Sequence, residues 1–107
     1  MDLAGVLRLL PDVQQADVLS WVERGWVRVD GEGDVVSFTE VDIARCRLVH
    51  ELREDLAVGE DVMPIVLSLI DQVNELRAAL KAVRHAIEQQ PEATRAPLLA
   101  ALRAAAL

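Results

Sequence analysis

The sequence predicts a mainly α fold: a winged helix-turn-helix head followed by a long coiled-coil dimerisation helix. Three observations predict it. Apolar residues recur at steps of three and four through Val66, Leu69, Val73, Leu76, Leu80, Val83 and Ile87, which is a heptad seam. Ahead of that seam, two short amphipathic stretches are separated by Pro11 and closed by Gly25, the pattern of a helix-turn-helix. After them, β-branched residues flank Asp30-Gly31-Glu32-Gly33, the pattern of a short hairpin, and a hairpin in that place is a wing. The expected organisation is a head with a third helix over 1–58, a dimerisation helix over 60–90 and a helical tail over 91–107.

The first helix is expected over 2–10, where Leu3, Val6, Leu7 and Leu10 share a face. Pro11 ends it by removing a donor and clashing with the preceding turn. The second is expected over 13–24, with Asp12 as N-cap. Val13, Val18, Trp21 and Val22 form its buried side, and Gly25 lies just past its end. The hairpin over 26–38 uses Val27, Val29, Val35 and Val36. Thr39 followed by Asp42 resembles a capping box and starts a third helix. That helix is expected to reach Val58 and stop at Gly59, burying Val41, Cys46, Val49, Leu52 and Leu56. Asp61 caps a fourth helix that accommodates Pro64 in its first turn and continues to Gln90. Roughly 27 residues at 1.5 Å each make a rod of about 40 Å. Pro91 breaks it, and Thr94 caps a short fifth helix carrying Leu98, Leu99 and Leu102.

A seam of this length needs a partner. Burying each Leu, Ile or Val contributes about 1.5–3 kcal/mol, and the short fifth helix can cover only about half the rod. The seam therefore predicts a coiled-coil homodimer, antiparallel in arrangement. An intramolecular helical hairpin is the alternative.

Composition narrows the function. Of 107 residues, 52% are hydrophobic but only 3% aromatic, so the core is aliphatic. A single cysteine, Cys46, fits a reducing compartment. The N-terminus lacks the basic region of a signal peptide, and no apolar run reaches the ~20 residues of a membrane span. A cytoplasmic protein is expected. Net charge is −7, and its distribution is uneven. Residues 1–44 carry three bases against nine acids, and residues 45–107 carry eight against nine.

This charge weighs against DNA. Readers of DNA neutralise phosphates with Lys and Arg and present bidentate side chains to bases. The candidate recognition helix offers Gln14, Gln15, Asp17, Ser20, Glu23 and Arg24, and the wing tip offers Asp30, Glu32 and Asp34. Nucleic acid is an unfavoured partner.

Catalysis and metals find little support. Three serines, two threonines and no tyrosine accompany no phosphate-binding motif and no carboxylate pair beside a glycine-rich loop. Cys46 and His50 are spaced as two ligands on one helix face, but no second pair exists. No enzyme activity, metal or cofactor is expected. Asp71 lies inside the long helix as an exposed or dimer-specifying group. Trp21 is expected in the core, and Trp26 half exposed as an aromatic anchor.

The stretch Arg47-Leu48-Val49-His50-Glu51-Leu52, followed some fifteen residues later by Val66-Leu67-Ser68-Leu69-Ile70-Asp71-Gln72-Val73, resembles the chaperone-modulator proteins called CbpM. These are similar in architecture to MerR-type regulators, and the order of elements matches over about residues 3–87. The resemblance implies a protein that binds the J-domain of a DnaJ/CbpA-like co-chaperone and inhibits its work with the chaperone it serves, without catalysis or cofactor. J-domains use a basic helix, which an acidic head complements. The candidate contacts, chosen by charge and expected exposure, are Asp17 and Glu23 on the second helix, Asp42 and Glu51 on the third, and Trp26. A MerR-like DNA-binding transcriptional regulator is the first alternative, and a dimeric adaptor with another partner the second.

Overall fold

The computed structural model describes residues 1–31 and 36–106. Among these residues five helices form: α1 (Leu3–Leu9), α2 (Gln15–Glu23), α3 (Glu40–Glu54), α4 (Met63–Glu88) and α5 (Glu92–Ala105). The protein is mainly helical, and no β-strand forms among the described residues. The chain divides into two compact units, Met1–Leu67 and Ser68–Leu107.

In the first unit, Asp2 caps α1 by accepting the Gly5 N–H at 2.9 Å. The helix ends as expected before Pro11. The Val13 N–H then donates to the Leu10 carbonyl at 3.0 Å, closing a turn. That turn delays α2, whose N-cap is Gln14 in extended conformation, so Asp12 is not the cap. At the far end Gly25 adopts φ +78, the left-handed conformation that glycine reaches without steric penalty.

The expected wing is corrected. Residues 26–29 do not enter a strand pair, and the backbone groups of Trp26 and Val27 are used elsewhere. The N–H groups of Trp26 and Val27 both donate to the Trp21 carbonyl, at 2.9 and 3.3 Å. The Trp26 carbonyl accepts from Arg45 Nε at 2.9 Å. Trp26 and Val27 are both buried rather than alternating between two faces. Among the described residues one antiparallel bridge is present, in which Asp30 and Ser37 exchange backbone hydrogen bonds at 3.3 and 2.8 Å. The expected tip residues Glu32 and Asp34, with Val35, lie outside the described residues. Beyond the bridge, Met1 exchanges both backbone hydrogen bonds with Phe38.

The capping box of α3 forms as the sequence predicts. Thr39 Oγ1 accepts the Asp42 N–H at 3.2 Å, and Asp42 Oδ2 accepts the Thr39 N–H at 2.9 Å. The cap fixes the phase of the helix, which buries Ile43, Cys46, Val49 and Leu52. Val41 sits two positions before Ile43, about 200° around the helix at 3.6 residues per turn. It is 77% exposed, against expectation. The helix also stops earlier than Val58. Asp55 is its C-cap and Ala57 takes φ +52, so Leu56 turns outward and is exposed. Met63 and Leu67, from the first turns of α4, complete a core with Val6, Val18, Trp21 and Phe38.

The turn before α4 is closed by the Val62 and Met63 N–H groups donating to the Gly59 carbonyl, at 3.2 and 2.9 Å. Pro64 is the second helical residue, where its missing N–H is harmless. In the second unit, α4 continues to Glu88 and three residues connect it to α5. Pro91, not Thr94, is the N-cap of α5, and its carbonyl accepts the Thr94 N–H at 2.9 Å. At fourteen residues α5 is longer than expected, and it carries Pro97 inside.

Candidate functional site

One concave feature of the first unit is a groove between the α1–α2 turn and α3. Leu9, Leu10, Pro11, Asp12 and Val13 form one wall, and Arg47, His50, Glu51 and Asp55 form the other. The α3 side follows from spacing: positions 47, 51 and 55 are four apart and share a face, with position 50 beside them. Pro11 and the Leu10–Val13 turn hold the opposite wall, which places Asp12 across from the helix. Asp12, Glu51 and Asp55 thus line one groove and are not paired with a cation among the described residues. Arg47 offsets one of the three charges. The result is a mainly polar, anionic slot with Leu9 and Leu10 in one wall, suited to cationic side chains whose aliphatic stems can lie on the leucines.

A second groove on the same unit is more apolar. Leu3, Ala4, Leu19, Val22, Val36 and Phe38 line it, with Asp2 and Gln15 at its edge.

The five expected partner contacts do not form one patch. Asp17 is half-buried in the first turn of α2, and Glu23 is exposed at its end. Asp42 is half-buried and its carboxylate is engaged in the capping box. Glu51 lies nine residues further along α3, on the opposite side of the helix at 100° per residue. Only Glu51 belongs to the acidic groove. Trp26 is corrected: it is 6% exposed rather than half exposed. The Arg24 guanidinium lies over its ring, 5.1 Å from the centroid, and is itself held by Glu60 at 3.3 Å. A side chain so covered is part of the core. Of the other groove residues, Asp12 is expected from sequence as a helix cap, and Asp55 carries no expected binding role. The spacing of positions 47, 51 and 55 was the available signal for the second.

Cys46 is fully buried, and its thiol is pushed up to about 11, chiefly by burial and secondarily by the Asp42 carboxylate. The thiol therefore stays protonated near neutral pH and is a poor nucleophile. His50, four residues on, lines the acidic groove. Among the described residues no group of three or more His, Cys, Asp or Glu side chains gathers around one point. No described helix is long and apolar enough to cross a membrane.

The expected dimer seam lies mostly open. Leu69, Val73, Leu76, Leu80 and Val83 are exposed, while Val66 and Ile87 are half-buried. Leu76 and Leu80, at the middle of the seam, are 64% and 69% exposed. They remain so with α5 in place, so α5 does not cover them in the single chain. Asp71 is exposed, as one of its two expected readings has it.

Compared with protein-family models, characterised proteins and solved structures, the chain gives no significant match.

Proposed function

We propose that this chain is a non-catalytic chaperone modulator of the CbpM kind, a cytoplasmic homodimer whose MerR-like helix-turn-helix head binds and inhibits the J-domain of a DnaJ/CbpA-like co-chaperone. The observation that carries the reading is where the charge lies. Residues 1–67 hold fourteen acids against six bases, whereas residues 68–107 hold four against five. The whole negative excess of the molecule belongs to the head. Within the head, Asp12, Glu51 and Asp55 line the groove described above. A cationic protein helix matches that surface by charge complementarity, and a polyanion is repelled by it. The groove also includes Arg47, His50 and Glu51 of the segment that resembles CbpM.

Dimerisation through α4 supplies two such heads per molecule. It is supported by the open heptad positions, whose burial is favourable only against another apolar surface.

The test is calorimetric titration of the full chain with a J-domain, comparing the wild type with the double variant Glu51→Arg and Asp55→Arg. Loss of at least tenfold in affinity, together with a weaker dependence on salt, is expected. The pair Asp17→Arg and Glu23→Arg, on α2 and away from the groove, should weaken binding less. Unaltered affinity in the Glu51/Asp55 variant would remove the groove as the contact. Failure of the wild type to bind any J-domain would remove the assignment.

A further inference from the structure

The second unit has no buried residue of its own. From Ser68 to Ala106 none of the described side chains is buried, and α5 contributes none to any core. About forty residues without a core do not hold a fixed structure alone, since a chain of that size normally needs disulfides, metals or association. Yet α5 is amphipathic. Leu98 and Leu102, one helical turn apart, are 41% and 51% exposed, and Leu99 beside them is half-buried.

We infer that α5 belongs to the dimer interface, and that two copies of the α4–α5 pair close into a four-helix bundle in which Leu98 and Leu102 are buried by the second copy. The inference rests on the dimer reading above and extends it to the tail, which the family resemblance does not reach. The occupant is a second copy because of charge. The unit carries five bases against four acids, so two copies meet almost without repulsion, whereas two heads would repel strongly. The order of charge along α4 is also self-complementary on reversal. Glu75 precedes Arg77 and Lys81. Turning one copy end for end sets the acid of each against the bases of the other. Glu88 is already held by Arg84 of its own helix at 3.1 Å, leaving Arg77 and Lys81 at the middle of the rod.

The test compares sedimentation equilibrium of the full-length wild type, of Leu98→Ala with Leu102→Ala, and of Leu76→Ala with Leu80→Ala. Both tryptophans, Trp21 and Trp26, lie in the first unit, so their emission reports whether the head remains folded in each variant. The expected result is a dimer dissociation constant at least tenfold higher for the Leu98/Leu102 variant, with tryptophan emission unchanged. A constant within twofold of wild type, alongside dissociation of the Leu76/Leu80 variant, would overturn the role of α5 and leave the α4 dimer intact. A wild type that stays monomeric at every concentration would overturn the dimer itself.

Discussion

Replacing Leu76 and Leu80 together by aspartate tests the seam where it is most open. In the single chain these side chains are 64% and 69% exposed, so about two-thirds of their burial remains to be gained on association. Full burial of a leucine contributes about 1.5–3 kcal/mol, which leaves about 1–2 kcal/mol for each. A symmetric dimer buries four such side chains, so the loss is about 4–8 kcal/mol. At 1.4 kcal/mol per decade, the dissociation constant should rise by about three to nearly six orders of magnitude. Desolvation of the new carboxylates adds to this. Sedimentation equilibrium from micromolar to millimolar chain should find the wild type dimeric and the variant monomeric. Val41→Asp is the control: Val41 is 77% exposed on α3, outside the seam, and its replacement should leave the mass unchanged. A Leu76/Leu80 variant that keeps the wild-type mass would show that the reasoning from exposed heptad positions is wrong.

Other predictions concern the head. Ala57 occupies φ +52, a conformation costing an L-residue about 1–2 kcal/mol, so Ala57→Gly should stabilise the head by about 0.5–1 kcal/mol after the entropy of glycine is offset. Urea unfolding followed by tryptophan emission reads this directly, and a loss of stability would count against the turn that ends α3. Cys46 is expected to make stability depend on pH at the alkaline end. Its thiol titrates at about 11 when folded and near 9.0 otherwise, so the unfolded chain loses its proton first. Stability is complete below about pH 9 and falls by about 2–3 kcal/mol as pH rises through 11. Cys46→Ala should flatten that part of the profile, and an unchanged profile would assign the fall to other groups.

Much of the fold was legible in the sequence because strong local signals agreed with one another. Pro11 and Gly25 bounded the first two helices, and the Thr39–Asp42 box set the start of α3 to the residue. The seam from Val66 to Ile87 gave α4 its length. The misreadings share a cause, which is that local patterns were overruled by contacts distant in sequence. The β-branched run after Trp26 looked like a strand, but the Trp21 carbonyl and the Arg45 side chain took its backbone groups. Trp26 followed a glycine at a helix end and looked half exposed, but Arg24, anchored on Glu60, covers it. Hydrophobicity alone places Val41 and Leu56 in the core, whereas the helix phase and the early stop at Asp55 turn both outward.

The candidate site was less legible than the fold. The sign of the head's charge follows from counting residues, but a groove is made by elements that meet in space. Glu51 and Asp55 share a helix face and could be paired from spacing. Asp12 joins them only because the Leu10–Val13 turn brings that segment opposite α3, and no periodicity predicts such a meeting.

Affinity for two polyelectrolytes of opposite sign, measured side by side in physiological salt, addresses the central claim most directly. Full-length protein should bind a purified J-domain in the micromolar range or tighter, weaken as salt is raised, and leave duplex DNA unshifted. Tight binding to DNA with none to the J-domain would contradict it.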